Sequence, residues 1–353
     1  MPDAKDPADR LQDELADNLA AWSGQDIRRV ALAKTLTALA AATKEIAGRT
    51  FLGPLGGRLG AATGDANADG DKQKRLDVLS NDAVLEALKR APVAYFASEE
   101  EIEILTLHGD GMFAVAVDPL DGSSNIDTNA PIGTIFSVYP ASPAGATASF
   151  FRPGREQVAA GYAIYGQHTA LLLTVGEGVD MYVLDGQNNY RRVAAGLSIP
   201  PRAQEYAINA SNYRFWRDPV REFIDELLAG VEGPRGRDFN MRWLASLVGD
   251  AHRILQRGGV YLYPADRRSG YEQGRLRLVY EAAPMAFVIE QAGGAASDGL
   301  TPILDKIPER LHARTPLVFG AAVKVERLVR YHTDPPHDRA RPPLFAARGL
   351  FRA

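Results

Sequence analysis

Three times in this sequence a short apolar run passes straight into carboxylates, and that pattern constrains the fold more than any other feature. The run 93–97 ends in Ser98-Glu99-Glu100. The run 112–117 ends in Asp118-Pro119-Leu120-Asp121-Gly122-Ser123-Ser124-Asn125, and 276–280 ends in Glu281 ahead of a helix opened by Pro284. Runs this short and apolar read as buried strands. In open α/β sheets ligands gather at the carboxyl ends of strands, so neighbouring strands of this kind would aim Glu99, Asp118, Asp121 and Glu281 at one place. Carboxylates crowded in that way are driven to bind protons unless a cation neutralises them. An all-oxygen set favours magnesium, manganese or calcium over zinc or copper, and magnesium keeps positions for water and a substrate phosphate. Two such ions about 3.5–4 Å apart can clamp a phosphoryl transfer. Gly122-Ser123-Ser124 adds N–H groups and hydroxyls, a cradle for phosphate. A plainer reading stands beside this one: Asp-Pro-Leu-Asp-Gly is also a common surface turn, and Glu-Glu after a strand a solvated charge run.

Composition narrows the classes further. The 353 residues are enough for roughly two domains. With 40 Lys+Arg against 44 Asp+Glu the net charge is −4, which gives no general attraction to nucleic acid or to an anionic membrane. Any anionic ligand must be held by a local site. There is no cysteine, which excludes disulfides, thiolate metal sites and a cysteine nucleophile. The start Met1-Pro2-Asp3-Ala4-Lys5-Asp6 has acids where an export signal has lysines, and no apolar run nears the ~20 residues of a membrane span. The expectation is a soluble, cytoplasmic chain.

Periodicity places Leu11, Leu15, Leu19 and Trp22 on a first helix, Leu32, Leu36, Leu39, Thr43 and Ile46 on a second, and Leu76, Leu79, Ala83 and Leu88 on a third over about 74–90. Between the last two, the glycine-rich stretch Gly53–Gly70 reads as a mobile loop. Strands are expected at 93–97, 112–117, 132–139, 158–164, 169–175, 260–263 and 276–280. Pro200-Pro201 marks a domain boundary, giving domains 9–200 and 201–332 and a peripheral tail 333–353. A helix capped by Asp218 follows, then one over 241–257 with Leu244, Leu247, Val248, Ala251 and Leu255 inward, stopped by Gly258-Gly259. Helices and strands mix without a strict βαβ rhythm, which points to layered α/β structure in two halves.

Asp118-Pro119-Leu120-Asp121-Gly122-Ser123-Ser124-Asn125-Ile126-Asp127 resembles the signature of the class I fructose-1,6-bisphosphatases, members of the lithium-sensitive, magnesium-dependent sugar and inositol phosphatase superfamily. The likeness runs from about residue 26 to 330. It takes in Lys74-Arg75-Leu76-Asp77-Val78-Leu79-Ser80-Asn81, Gly133-Thr134-Ile135-Phe136-Ser137, Gly258-Gly259-Val260-Tyr261-Leu262-Tyr263-Pro264 and Leu276-Arg277-Leu278-Val279-Tyr280-Glu281. Glutamate at 281 separates it from the inositol monophosphatases, which have an aspartate after tryptophan there. The resemblance implies a layered α-β-α-β-α sandwich of two domains and metal-assisted hydrolysis of the 1-phosphate of fructose 1,6-bisphosphate. It implies two or more magnesium ions, or manganese, in a homo-oligomer, a homotetramer by analogy. Sedoheptulose-1,7-bisphosphate hydrolysis, alone or in addition, is the alternative, and a silent sugar-phosphate binder a more distant one. The setting would be carbohydrate metabolism, gluconeogenic or carbon-fixing.

By the same resemblance the metal ligands are Glu99, Asp118, the Leu120 carbonyl, Asp121 and Glu281, with Asp71 approaching from the loop. Glu100 and Asp77 are the pair that withdraws a proton from water, and Gly122, Ser123 and Ser124, with Asp121, hold the 1-phosphate. Asn209, Tyr213, Arg242, Trp243, Tyr261, Leu262, Tyr263 and Arg275 fall in the 6-phosphate pocket, Arg242 reaching into a neighbouring subunit. Trp243 stands where many members have tyrosine, and Arg275 where many have lysine, replacing a point charge by a bidentate fork. At the AMP site Ser23-Gly24-Gln25-Asp26-Ile27 and Met112-Phe113 lack the threonine, glutamate, lysine and phenol of regulated members. Weak or absent AMP inhibition is therefore expected.

Overall fold

In a computed structural model, which describes residues 13–57, 59–66 and 72–334, the chain builds two large sheets, two short strand pairs and three helical layers. Leu11, Asp71 and the tail beyond Asp334 lie outside the described residues. The larger sheet has eight strands in the order Tyr190–Ala194, Asp180–Leu184, Thr169–Thr174, Ala159–Tyr165, Ile132–Pro140, Phe113–Asp121, Val93–Ser98 and Leu105–Thr106. All its neighbours are antiparallel except Val93–Ser98 and Phe113–Asp121, which run parallel. The smaller sheet orders Asn240–Met241, Glu205–Ala207, Val260–Tyr263, Leu317–Ala321 and Gly294–Ser297.

Alternation along each strand sets the layers. Val115, Val117 and Phe136 face Leu36, Leu39, Ile46, Leu76 and Val84 of the helices Ile27–Leu52 and Arg75–Leu88. Ile135, next to Phe136, and Tyr162 and Leu172 on the adjoining strands face the other way, onto the helices Leu247–Arg257 and Ala283–Gln291. Tyr261 and Phe319 of the smaller sheet close that middle layer from beyond. Val260, Leu262 and Val318 point outward to Phe223, Ile224 and Leu328 on the helices Asp218–Leu228 and Ala322–Thr333. The result is the expected α-β-α-β-α sandwich. No described helix is long and apolar enough to cross a membrane.

Several local expectations need correction. The stretch read as a strand over 276–280 pairs only at Leu276–Arg277, with Arg314–Thr315, and then winds into a π-helical turn, Leu278–Ala282, continuous with the helix Ala283–Gln291. Pro284 has no N–H to close an α-helical turn onto the Tyr280 carbonyl, and the wider turn accommodates that loss. Val279 and Tyr280 then pack on Ala97, Ala114 and Ala116 of the two parallel strands. The helix read over 241–257 begins at Leu247, capped by the Ser246 side chain, and Leu244 is exposed. Asp218 is the first residue of its helix rather than the cap. The glycine-rich stretch holds a 3-10 turn, Gly53–Gly56, and a hairpin, Ala62–Ala66 with Lys72–Lys74.

Candidate active site

The parallel pairing of Val93–Ser98 with Phe113–Asp121 is what brings the acidic ends together: Ser98 lies opposite Val117, and the Glu99 N–H donates to the Val117 carbonyl at 3.1 Å. The second strand does not stop at its acids. Asp118 stays opposite Ile135 and Asp121 opposite Gly133, with a register shift between them that fits Pro119 and Leu120. Glu281 arrives from the docked π-turn rather than from a third neighbouring strand. Carboxylate oxygens of Asp118, Asp121 and Glu281 nevertheless lie within 4.8 Å of one another, all three residues buried.

Each carboxylate is tied down from behind. The Leu120 N–H donates to Asp118 Oδ1 at 3.0 Å. Asp121 Oδ2 accepts from Ser246 Oγ at 3.0 Å and from the Val248 N–H at 2.9 Å, at the start of the helix Leu247–Arg257. Glu281 Oε2 accepts from the Arg277 N–H at 2.6 Å. Burial dominates their titration. It holds Asp118 well above the carboxylate range, with the charges of Glu99, Glu281, Asp121 and Glu100 adding to the rise. Burial also raises Asp121, against the bonds from Val248 and Ser246, and lifts Glu281 to about 8 with help from Glu99. The Arg277 guanidinium lies 3.0 Å from Glu99. The one sequence signal for Arg277 is a cation inside an otherwise apolar run, four residues before Glu281.

Asp77 sits in the first turn of the helix Arg75–Leu88, 3% exposed. Its Oδ2 accepts from the Lys74 N–H at 2.6 Å, while Oδ1 is buried with no hydrogen-bond partner among the described residues. Burial raises it to about 6, opposed by the Lys74 bond and assisted by Glu99. Gly122 adopts φ +78°, and a Cβ there would meet the Ser246 side chain at 3.1 Å. The 3-10 turn Ser123–Thr128 follows, pinned by Lys74 Nζ, which donates to the Ser123 carbonyl at 2.9 Å and pairs with Asp127 at 3.0 Å.

A second pocket is lined by Asn209, Asn212, Leu262, Tyr263, Tyr271 and Arg275, among others. Arg275 Nη1 donates to the Tyr271 hydroxyl at 2.6 Å, and the guanidiniums of Arg275 and Arg268 lie 4.7 and 4.1 Å from the Tyr271 ring centre. Burial raises the Tyr263 phenol, with Arg275 pulling it down and Glu281 pushing it up, so Tyr263 lies in the fields of both sites. Tyr213 is not in this lining. It is 39% exposed and donates to Asp225 at 2.8 Å, and Asn212, one residue earlier in the tight turn, faces the pocket instead. Trp243 stacks on Tyr261 and Tyr263 at 5.8 and 6.0 Å, within 17° of parallel, outside the lining. Arg242 is exposed.

The segment between Met241 and Leu247 joins the two sites. Both oxygens of buried Asp250 accept from the Leu244 N–H, at 3.1 and 3.3 Å. Ala245 is held at φ +59°, a strained backbone for a residue with a Cβ. Asn125 Nδ2 donates to the carbonyls of Leu244 and Ala245 at 3.3 and 3.4 Å. Neither Asp250 nor Ser246 is expected from the sequence: the partner of Ser246 is 125 residues away, and Asp250 acts only by folding back on the Leu244 N–H. A larger cavity of about 1160 Å³, between Ala47–Ala61 and Ile126–Ile132, contains none of the clustered carboxylates.

Buried acids that only protons or a hard cation can relieve, facing a cation-lined pocket through a shared tyrosine, define a class: metal-dependent hydrolases of phosphate esters. The N-terminal domain model of fructose-1,6-bisphosphatase matches residues 22–190, and the C-terminal domain model matches 199–333. A class 1 fructose-1,6-bisphosphatase of Bradyrhizobium sp. is 54% identical over 322 residues, 91% of this chain and 94% of that protein. One from Xanthobacter autotrophicus is 51% identical over 96% of this chain and 91% of its own length. The crystal structure of Leishmania major fructose-1,6-bisphosphatase in holo form superposes with a TM-score of 0.85 at 34% identity, covering 91% of this chain and 99% of that one. The chain belongs to the fructose-1,6-bisphosphatase family.

Proposed function

We propose that this enzyme hydrolyses the 1-phosphate of fructose 1,6-bisphosphate to fructose 6-phosphate and phosphate. The convergence of Asp118, Asp121 and Glu281 beside Gly122-Ser123-Ser124 carries the reading. The donor set suits magnesium, or manganese: all oxygen, buried, and raised toward protonation first by that burial and then by mutual repulsion. Glu99, Asp118, the Leu120 carbonyl, Asp121 and Glu281 would hold two or more ions. Bound there, they neutralise the phosphoryl oxygens and act as Lewis acids.

The chain's own residues do the rest. Glu100 and Asp77 take the proton of the attacking water; a carboxyl at about 6 is close to ideal for a base working near neutrality. Backbone N–H groups of Gly122 to Ser124 hold the 1-phosphate. Arg277, 3.0 Å from Glu99, offers a bidentate fork suited to phosphoryl oxygens. Asn209, Asn212, Tyr263 and Arg275 hold the 6-phosphate. The domain boundary belongs at Pro200-Pro201, and the exposed Arg242 suits a homotetramer in which it serves a neighbour's pocket.

The test is phosphate release from fructose 1,6-bisphosphate and sedoheptulose 1,7-bisphosphate in parallel, with magnesium and then with excess chelator. Magnesium-dependent turnover of the fructose ester is expected, abolished in Asp118→Ala and Glu99→Ala. A faster sedoheptulose rate would move the assignment to that substrate, and turnover unchanged by chelator or by either substitution would refute the site.

A further inference from the structure

We propose that Arg235, Arg237 and Lys324 form a second anion site, for a small dianion of the phosphate type, separate from the active site. The two arginines lie between the 3-10 turn Gly230–Glu232 and the strand Asn240–Met241, and Lys324 lies on the helix Ala322–Thr333. Three cationic heads surround one ring: the guanidinium carbons of Arg235 and Arg237 are 5.8 and 5.2 Å from the Phe239 centre, and Lys324 Nζ is 4.7 Å from it. Arg327 adds a fourth cation from the same helix. One carboxylate answers them. Glu226 accepts from Arg235 Nε at 2.8 Å and pairs with Arg327 at 2.9 Å. Arg237 and Lys324 pair with no carboxylate among the described residues. The nearby Asp238 is committed to the Val231 N–H at 3.2 Å. Four cations against Glu226 and Asp238 leave a local excess of two positive charges, in a chain that is net acidic.

A surface patch would dissipate such an excess into water; here it is partly buried. The Arg235 side chain is 8% exposed, and its Nη2 is buried with no acceptor among the described residues. Lys324 is 3% exposed, its Nζ donating to the Ala203 carbonyl at 2.5 Å. Burial first, then Arg237 and Arg235, pull the Lys324 ammonium down to about 8. Buried like charges and an unmet donor disfavour the folded state, and a bound dianion relieves both at once. Two guanidinium forks with one ammonium match the several oxygens of a phosphate group better than a single carboxylate. The cations are held in place beforehand by the Phe239 face, so little ordering is left to binding. None of the three lines the pocket of Asn209 and Arg275, and the inference stands whether or not the proposed reaction is right.

Isothermal titration of the full, metal-free chain with inorganic phosphate tests it. The native chain is expected to bind one more phosphate per chain than either Arg237→Gln or Lys324→Met. Arg237 is only partly buried, so Arg237→Gln should fold and keep magnesium-dependent phosphate release within about twofold; it decides the matter alone if Lys324→Met does not fold. Equal stoichiometry and equal heat in native chain and Arg237→Gln would mean phosphate binds at the active site only, and would overturn the proposal.

Discussion

Asp77→Asn should make the protein more stable and nearly inactive, and the structure fixes both the size and the pH at which this shows. The Asp77 carboxyl is held at about 6 instead of 3.8, chiefly by burial, with the Lys74 bond opposing and the Glu99 charge assisting. A raised carboxyl stabilises the folded state relative to the unfolded one only while it is protonated. Its contribution is full below pH 3.8 and is lost as pH rises through about 6. At about 1.4 kcal/mol per pKa unit, the loss by pH 7.5 is about 3 kcal/mol. The amide has the same shape, still accepts from the Lys74 N–H, and never ionises. Urea unfolding with chelator present should therefore show Asp77→Asn more stable by about 3 kcal/mol at pH 7.5 and by less than about 1 kcal/mol at pH 4. Magnesium should narrow the gap, since a cation on Glu99 removes part of what raises Asp77. Removal of a base from the water-activating pair should lower kcat by about 10²–10⁴-fold. Stability curves that run parallel from pH 4 to pH 8 would show that no buried charge is being held, and a kcat within about threefold of native would remove Asp77 from the proton transfer.

Arg277→Met leaves Glu99 without its guanidinium, so the metal-free protein should lose about 3–5 kcal/mol, most of it restored by magnesium in a thermal melt; equal losses with and without the ion would mean Arg277 only packs. Asp250→Ala orphans the Leu244 N–H and releases the segment that carries Arg242 and Trp243. Steady-state kinetics should give a KM for the sugar bisphosphate raised about tenfold with kcat changed less than about threefold, for a stability loss of about 1–3 kcal/mol. Tyr213→Phe removes an exposed bond to Asp225 and should leave KM unchanged, whereas Arg275→Ala should raise it at least about tenfold; the reverse order would restore Tyr213 to the pocket. AMP titrated into the assay at ordinary cellular levels should leave the rate unchanged. Asp26 is already engaged in capping the helix Ile27–Leu52 through the Arg29 N–H, and half-inhibition at such levels would refute this.

What could be read from sequence, and what could not, divides by the range of the interaction. Asp118 and Asp121 were legible because the strand, the turn glycine and both acids are neighbours in the chain, and the parallel partner that presents Glu99 is one apolar run away. Glu281 does lie beside Asp118 and Asp121, but it comes from a π-turn and not from the end of a strand. A five-residue apolar run does not tell strand from buried helix, and only the missing N–H of Pro284 hinted at the wider turn that forms. Tyr213 went astray by a single residue in a tight turn, where one position decides whether a side chain meets the pocket or Asp225. Arg277 and Ser246 act through partners that the fold alone brings near, Glu99 and Asp121, and Asp250 through the Leu244 N–H that the turn before its helix presents. That last group shares a physical task. A buried cluster of like charges pushes itself apart, and a strained loop at Ala245 stores further free energy against the fold. Both are tolerated because other side chains over-determine them, Ser246 on Asp121 from one side and Asp250 and Asn125 on the loop from the other. Asp118 and Asp121 are written locally, whereas Glu281 and the Ser246 that holds Asp121 are written far away.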